Sequence, residues 1–310
     1  MTASKKNITT EGIVKPFLKW AGGKRQLLHH FTGIYPPALK AGTIENYYEP
    51  FLGSGAVFFD IAQRYSVRNF FLSDINSELV LTYQVIQAHV SKLIDVLCQH
   101  EKNYLALDKE KRLQYFYDQR EQFNLQRFDT GFSKNADKGA ARAARLIFLN
   151  RTCYNGLFRV NSKGEFNTPA GDYKKPTICD VKNLTAASKL LDKATIKQAG
   201  FTKVLKRVRP SSFVYLDPPY RPVSKTASFT SYNKAIFQDE QQAELAGCYR
   251  QLDKEGVLLM LSNSDSADKF FDKLYRGFTI TRVPAKRLIN NDASKRGHVS
   301  EIIVTNYPVK

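Results

Sequence analysis

Several features are missing from this 310-residue chain. No apolar run approaches the roughly twenty residues that a bilayer-spanning helix needs. Residues 1–15 are polar and contain no secretory hydrophobic region, so a cytoplasmic location is expected. Cysteine is scarce: Cys98, Cys153, Cys179 and Cys248 stand far apart, without the paired spacing of a zinc site or a disulfide-stapled fold. The histidines form no ligand motif either, since adjacent His29 and His30 cannot share a helix face as ligands spaced i, i+4 do. No metal and no disulfide framework are expected. Acidic residues are also few, 29 against 47 Lys and Arg, which leaves a formal net charge of +18. Such an excess favours a polyanionic partner, nucleic acid ahead of a membrane surface.

What is present supports a substantial core. Apolar residues make up 43% of a chain longer than one modal domain, as suits a large α/β domain carrying an insertion. The most informative stretch is Phe213-Val214-Tyr215-Leu216-Asp217-Pro218-Pro219-Tyr220-Arg221-Pro222. Its apolar, aromatic and β-branched start suits a buried strand. Pro218 donates no ladder hydrogen bond and restricts its predecessor, so the strand must stop near Asp217. In open α/β sheets that edge binds ligands. A carboxylate, a fixed backbone carbonyl and the Tyr220 ring suit a planar substrate held by an exocyclic amine and stacked on its face. A strand end with a solvated Asp is the plainer alternative.

Two upstream stretches describe a cofactor site. In Lys19-Trp20-Ala21-Gly22-Gly23-Lys24-Arg25 a phosphate-binding loop is excluded, because Leu18 stands where the first glycine belongs and Arg25 follows the lysine. What remains is an aromatic ring and a cation beside glycines. Next, residues 47–59 read as strand, glycine turn (Phe51, Gly53, Ser54, Gly55) and helix, and residues 70–74 as a second strand ending in Asp74. Asp74 follows Gly53 by 21 positions, the spacing at which an acid reaches ribose hydroxyls. Phe58 occupies the third glycine of a dinucleotide fingerprint, which disfavours NAD. An adenosine cofactor without phosphates, such as S-adenosylmethionine, fits better.

Residues 76–127 read as mostly helical, 127–138 as a loop and 139–151 as a helix with Arg142 and Arg145 on one face. Residues 154–167 alternate polar and apolar around a Ser-Lys-Gly turn, the pattern of a β-hairpin. Residues 134–175 carry a local net charge of +6. A two-stranded ribbon fits the DNA major groove, and Arg159 and Asn161 on one face suit guanine and adenine edges. A solvated surface hairpin is the alternative. After Pro176 the α/β rhythm returns: a helix near 181–191, strands near 195–199, 213–217 and 257–261, a Ser/Thr-rich loop at 224–232, helices near 238–252 and 267–274, and strands at 278–283 and 300–306 flanking a basic loop at 286–298. A strand inserted antiparallel would explain that final hairpin. The expected domains are a flexible tail, 1–14, a catalytic domain, 15–88 with 193–310, and a recognition domain, 89–192.

Together, Phe17-Leu18-Lys19-Trp20-Ala21-Gly22-Gly23-Lys24, Glu49-Pro50-Phe51-Leu52-Gly53-Ser54-Gly55 and Asp217-Pro218-Pro219-Tyr220 resemble the Dam-type DNA adenine-N6 methyltransferases, in the motif order of their alpha group. The resemblance runs from Lys15 to Tyr307 and includes Tyr154-Asn155-Gly156-Leu157, Gly164-Glu165-Phe166-Asn167 with Pro169, Gly171 and Tyr173, and Phe229-Thr230-Ser231-Tyr232. It departs at the tail, the 127–138 loop and Asn290-Asn291-Asp292-Ala293, where some relatives carry a glycine pair.

The resemblance implies a class I S-adenosylmethionine-dependent methyltransferase fold: α/β, doubly wound, with a mostly parallel seven-stranded sheet and an inserted helical plus β-hairpin DNA-recognition domain. It implies that Trp20, Lys24, Asp74 and Asp217 bind S-adenosylmethionine above the Phe51–Gly55 turn, and that Asp217, Pro218, Pro219 and Tyr220 form the catalytic motif. It also implies that Lys19, Arg151, Tyr154, Leu157, Arg159, Asn161, Pro169 and Tyr173 meet double-stranded DNA. The expected activity is methylation of a flipped adenine, within GATC, by a monomer acting alone or beside a restriction endonuclease. Rival readings are a methyltransferase for an RNA base or protein amide, and a DNA-binding regulator without catalysis.

Overall fold

The structure is a computed structural model that describes residues 12–127, 129, 131, 132, 135–221, 237–286 and 298–309. The expected tail through residue 11, the 224–232 loop with Phe229 to Tyr232, and the basic loop with Asn290 to Ala293 lie outside the described residues.

Seven strands form one sheet: β1 (Asn46–Glu49), β2 (Asn69–Asp74), β3 (Ala194–Gln198), β4 (Ser212–Leu216), β5 (Leu258–Ser264), β6 (Thr279–Lys286) and β7 (His298–Thr305). Their order is β3-β2-β1-β4-β5-β7-β6. The first five are mutually parallel, and β7 runs antiparallel between β5 and β6. This is the class I methyltransferase arrangement that the sequence leads one to expect. The order reverses at β1 and β4, the switch point where open α/β sheets place a ligand crevice. All five residues of β4 are buried, as a central strand covered on both faces requires.

The helices are α1 (Leu28–Ile34), α2 (Pro37–Lys40), α3 (Ala56–Arg64), α4 (Ser77–Ala106), α5 (Lys109–Leu125), α6 (Ala136–Thr152), α7 (Val181–Leu191), α8 (Phe201–Leu205), α9 (Asp239–Lys254) and α10 (Phe270–Leu274). One apolar cluster packs α1, α3, α4, α6 and α7 against one sheet face, and a second packs α8, α9 and α10 against the other. Asn76 caps α4 by accepting the Leu79 amide, and His89 breaks the helical dihedrals inside it. The break adjoins the boundary expected at 88/89. Helix α6 starts at Ala136 rather than 139, because Asn135 accepts the amides of Asp137 and Lys138 and so supplies an earlier cap.

Two expectations need correction. Cys98 and Cys179 are joined in a disulfide with Cα atoms 5.3 Å apart. They are 81 positions apart in sequence, and only the packing of α4 beside the segment entering α7 brings them together. Helix α6 also carries a buried cation, Arg142. It is 1% exposed, pairs with Glu78 at 2.6 Å, donates to the Phe123 carbonyl and lies over the Phe123 ring. Arg145 is held by Gln119 and Gln126. Finally, the 154–167 hairpin has the expected turn but no extended strands. A 3-10 turn at Tyr154–Gly156 leads into isolated bridges, Val160 to Phe166 and Cys153 to Ala170. Asn161 causes much of this, since its Oδ1 accepts the Lys163 and Glu165 amides, a local bond that competes with ladder pairing.

Candidate active site

The carboxyl ends of β1, β2 and β4 open into one cleft of about 1370 Å³, whose walls include Trp20, Lys24, Phe51, Gly53, Ser54, Asp74 and the Asp217–Tyr220 run. Asp217 therefore shares a cavity with Trp20, Gly53 and Asp74, although these residues come from four separate stretches. The Gly53 amide donates to Asp74 Oδ2 at 3.0 Å, and the Asn76 amide donates to Oδ1 at 2.9 Å. Burial raises the Asp74 carboxyl, and those two amides oppose the rise. Gly53 has a φ of 48° and stands against the Trp20 ring, whose Cδ1 would lie 3.2 Å from an added Cβ. Trp20 is backed in turn by Phe158, stacked at 5.3 Å.

Gly55 does not line the cleft. It caps α3 with a φ of 67°, and a Cβ there would meet the Tyr83 hydroxyl at 2.5 Å. That hydroxyl donates to the Gly53 carbonyl at 3.2 Å, so Gly55 allows Tyr83 to brace the turn from below.

The Asp217–Tyr220 run is tied into a buried polar cluster. Lys24, only 2% exposed, places its ammonium 2.6 Å from Asp217 Oδ1 and donates to the Tyr220 hydroxyl and the Gly22 carbonyl, each at 3.0 Å. Burial alone would lower the Lys24 pKa, but Asp217, Tyr220 and Glu301 outweigh it and hold the ammonium above its ordinary value. Asp217 is pushed up to about 6, first by burial and then by Glu301, against the pull of Lys24. Ser262 at the end of β5 donates to Asp217 Oδ1 at 3.3 Å. Tyr220 is 38% exposed as a residue, while its hydroxyl donates to Glu301 on β7.

Sequence reasoning passed over Glu301, Ser262 and Phe158. A usable signal existed for Glu301, a lone carboxylate heading the apolar run Ile302-Ile303-Val304, the reverse of the pattern that marks Asp217, as suits a strand running antiparallel to its neighbours.

The donor set suits a cationic, adenosine-bearing group. The cleft wall carries Asp74, Asp217, Asp239 and Glu240 against Lys24 and Arg221, beside Glu49, whose carboxyl burial pushes well above its ordinary value. An acidic cavity in a chain of net charge +18 favours a small cation inside and an anion outside.

The expected DNA-contact residues fall into two groups. Lys19, Tyr154, Arg159 and Pro169 are exposed, and Leu157 and Tyr173 are partly so. The Lys19 ammonium lies 4.9 Å over the Tyr173 ring, and Asn150 bonds both the backbone of Lys19 and the carbonyl of Gly156, which draws the N-terminal stretch and the hairpin together. Arg159 donates to Asn167 at 2.8 Å, across the loop. Arg151 and Asn161 instead turn inward. Arg151 is half-buried and donates to the Phe17 carbonyl, while Asn161 organises its own turn and donates to Glu165 at 2.9 Å. Among the described residues no three His, Cys, Asp or Glu gather as a metal set, and no helix is long and apolar enough to cross a membrane.

Comparison with known proteins agrees with this geometry. The chain is 49% identical over 295 residues to the type II methyltransferase M.MjaIII of Methanocaldococcus jannaschii, covering 95% of this chain and 99% of that protein. It is 39% identical over 296 residues to M1.LlaDCHI of Lactococcus lactis subsp. cremoris, covering 95% and 96%. It is 31% identical over 294 residues to the DNA adenine methylase of Escherichia coli K12, again covering 95% and 96%. Residues 20–289 match the family described as D12 class N6 adenine-specific DNA methyltransferase. The chain belongs to that family and is an adenine-specific DNA methyltransferase.

Proposed function

We propose that the chain transfers the methyl group of S-adenosylmethionine to the N6 amine of an adenine flipped out of duplex DNA, within GATC. The observation that carries this reading is the single cleft shared by the Asp217 motif, Trp20, the Gly53 turn and Asp74. Trp20 and the turn would hold the adenosine part, with Asp74 accepting from its ribose. The bound cofactor supplies an already activated methyl sulfonium, so the protein needs no strong acid or base. The amine nitrogen is a poor nucleophile because its lone pair is delocalised into the ring. Asp217 and the Pro218 carbonyl, each accepting one amine hydrogen, hold the nitrogen pyramidal and aim its lone pair. The bond to Asp217 strengthens as positive charge develops, which is differential binding of the transition state. The exposed Tyr220 ring stacks on the base and offsets part of an unstacking cost of a few kcal/mol.

Residues 89–192 would form the recognition domain and 15–88 with 193–310 the catalytic one, with Arg159 reading the site and Lys19, Tyr154, Leu157, Pro169 and Tyr173 around it. The type II designation of two relatives favours a place within a restriction-modification system. A cytoplasmic monomer is the simplest setting. Radiolabelled transfer from S-adenosylmethionine tests the reading on GATC duplexes, single-base variants of them, and RNA. Transfer confined to the GATC adenine supports it, and equal transfer to all the duplexes or to RNA overturns it.

A further inference from the structure

Strand β7 brings a second carboxylate to the catalytic motif. Glu301 is 6% exposed, and its backbone lies in register with Ser264 of β5 and Val283 of β6. Its Oε1 accepts the Tyr220 hydroxyl, and its Oε2 lies 3.7 Å from the Lys24 ammonium with no hydrogen-bond partner among the described residues. All three Lys24 hydrogens have closer acceptors, on Asp217, Tyr220 and Gly22. Glu301 therefore acts on Lys24 through charge and on Tyr220 through a hydrogen bond. Two carboxylates share one ammonium in a nearly dry site, an arrangement that costs stability unless the fold or the chemistry gains from it. Among the described residues, the remaining titratable groups facing Asp217 are Tyr215 and Glu49, and burial holds both far above their ordinary values.

We propose that Glu301 is a positioning residue for methyl transfer, fixing the Tyr220 ring through its hydroxyl and sharing the Lys24 ammonium so that Asp217 remains a strong acceptor for the target amine. The inference rests on the reading of Asp217 given above. Removing the Glu301 charge leaves Lys24 to neutralise Asp217 alone, which weakens the carboxylate as an acceptor and makes it easier to ionise.

The test is Glu301→Gln in the full chain, with methyl-transfer rates followed across the acid limb of the pH profile and duplex affinity measured by fluorescence anisotropy. The expected result is a kcat lowered about tenfold with little change in DNA affinity, and an acid limb moved to lower pH. Wild-type kcat with an unmoved limb overturns the proposal. So does an unmoved limb with kcat and affinity falling together, the signature of a packing role. Tyr220→Phe removes only the hydroxyl and gives an independent measure. A lowered kcat with retained affinity is expected, and unchanged kcat overturns the clamp. An acid limb absent from the wild-type enzyme would instead remove the Asp217 reading, and this inference with it.

Discussion

In the function proposed above, Asp217 is the residue on which the chemistry converges, and its environment makes two predictions. Asp217→Ala removes the acceptor for the amine but no surface cation, so methyl transfer should be lost while duplex binding persists. Filter-retained label and an anisotropy titration on the same preparation check this. The second concerns pH. Burial raises Asp217 to about 6, and the ionised form is the stronger, charge-assisted acceptor for the amine, so the transfer rate should fall as pH drops through that value. A single-turnover profile flat across it would contradict the assignment. At the reading end, Arg159→Ala should relax discrimination at one guanine by roughly 1–3 kcal/mol, measured as relative rates on single-base-substituted duplexes. The two ends differ in how openly the sequence displays them. Asp217 announces itself through the prolines that end its strand, whereas Arg151 looks like any basic contact until Phe17 is found beside it.

At the scale of elements, the strand-end carboxylates and the Gly53 turn were legible because they follow local rules: a strand stops at Pro218, and φ is positive at Gly53 and Gly55. What was not legible there has one distant cause and one local cause. Arg142 is buried because Glu78, 64 positions away, neutralises it. The recognition loop departs from a regular hairpin because Asn161 satisfies its own turn. That loop is nevertheless held tightly to the cleft wall, with Phe158 stacked on Trp20 and Gly156 against the Lys19 side chain. Gly156 has a φ of 67°, and an added Cβ would collide with Lys19. Gly156→Ala should therefore cost at least about 1 kcal/mol in stability and weaken DNA binding, seen as a lower thermal midpoint together with a raised Kd.

Across the whole molecule, the sheet order and the helices on both faces follow from the alternation of strands and helices along the chain. The Cys98–Cys179 link does not, since 81 residues separate its ends and no spacing motif marks it. Closing so long a loop is worth about 2–4 kcal/mol through the unfolded chain, so reduction should lower the melting temperature by several degrees. Thiol titration of the denatured, unreduced protein should find the two free cysteines, Cys153 and Cys248, and four thiols after reduction.

The sheet order also bears on how the chain is made. Strand β6 borders only β7 in the sheet, although it precedes β7 in the sequence. During translation β6 therefore emerges with no neighbour to dock on, and must wait for the next strand to slide between it and β5. The recognition loop and Asp217 leave the ribosome well before that insertion. A nascent polypeptide thus releases the 154–167 loop and Asp217 before it can complete the far edge of the sheet.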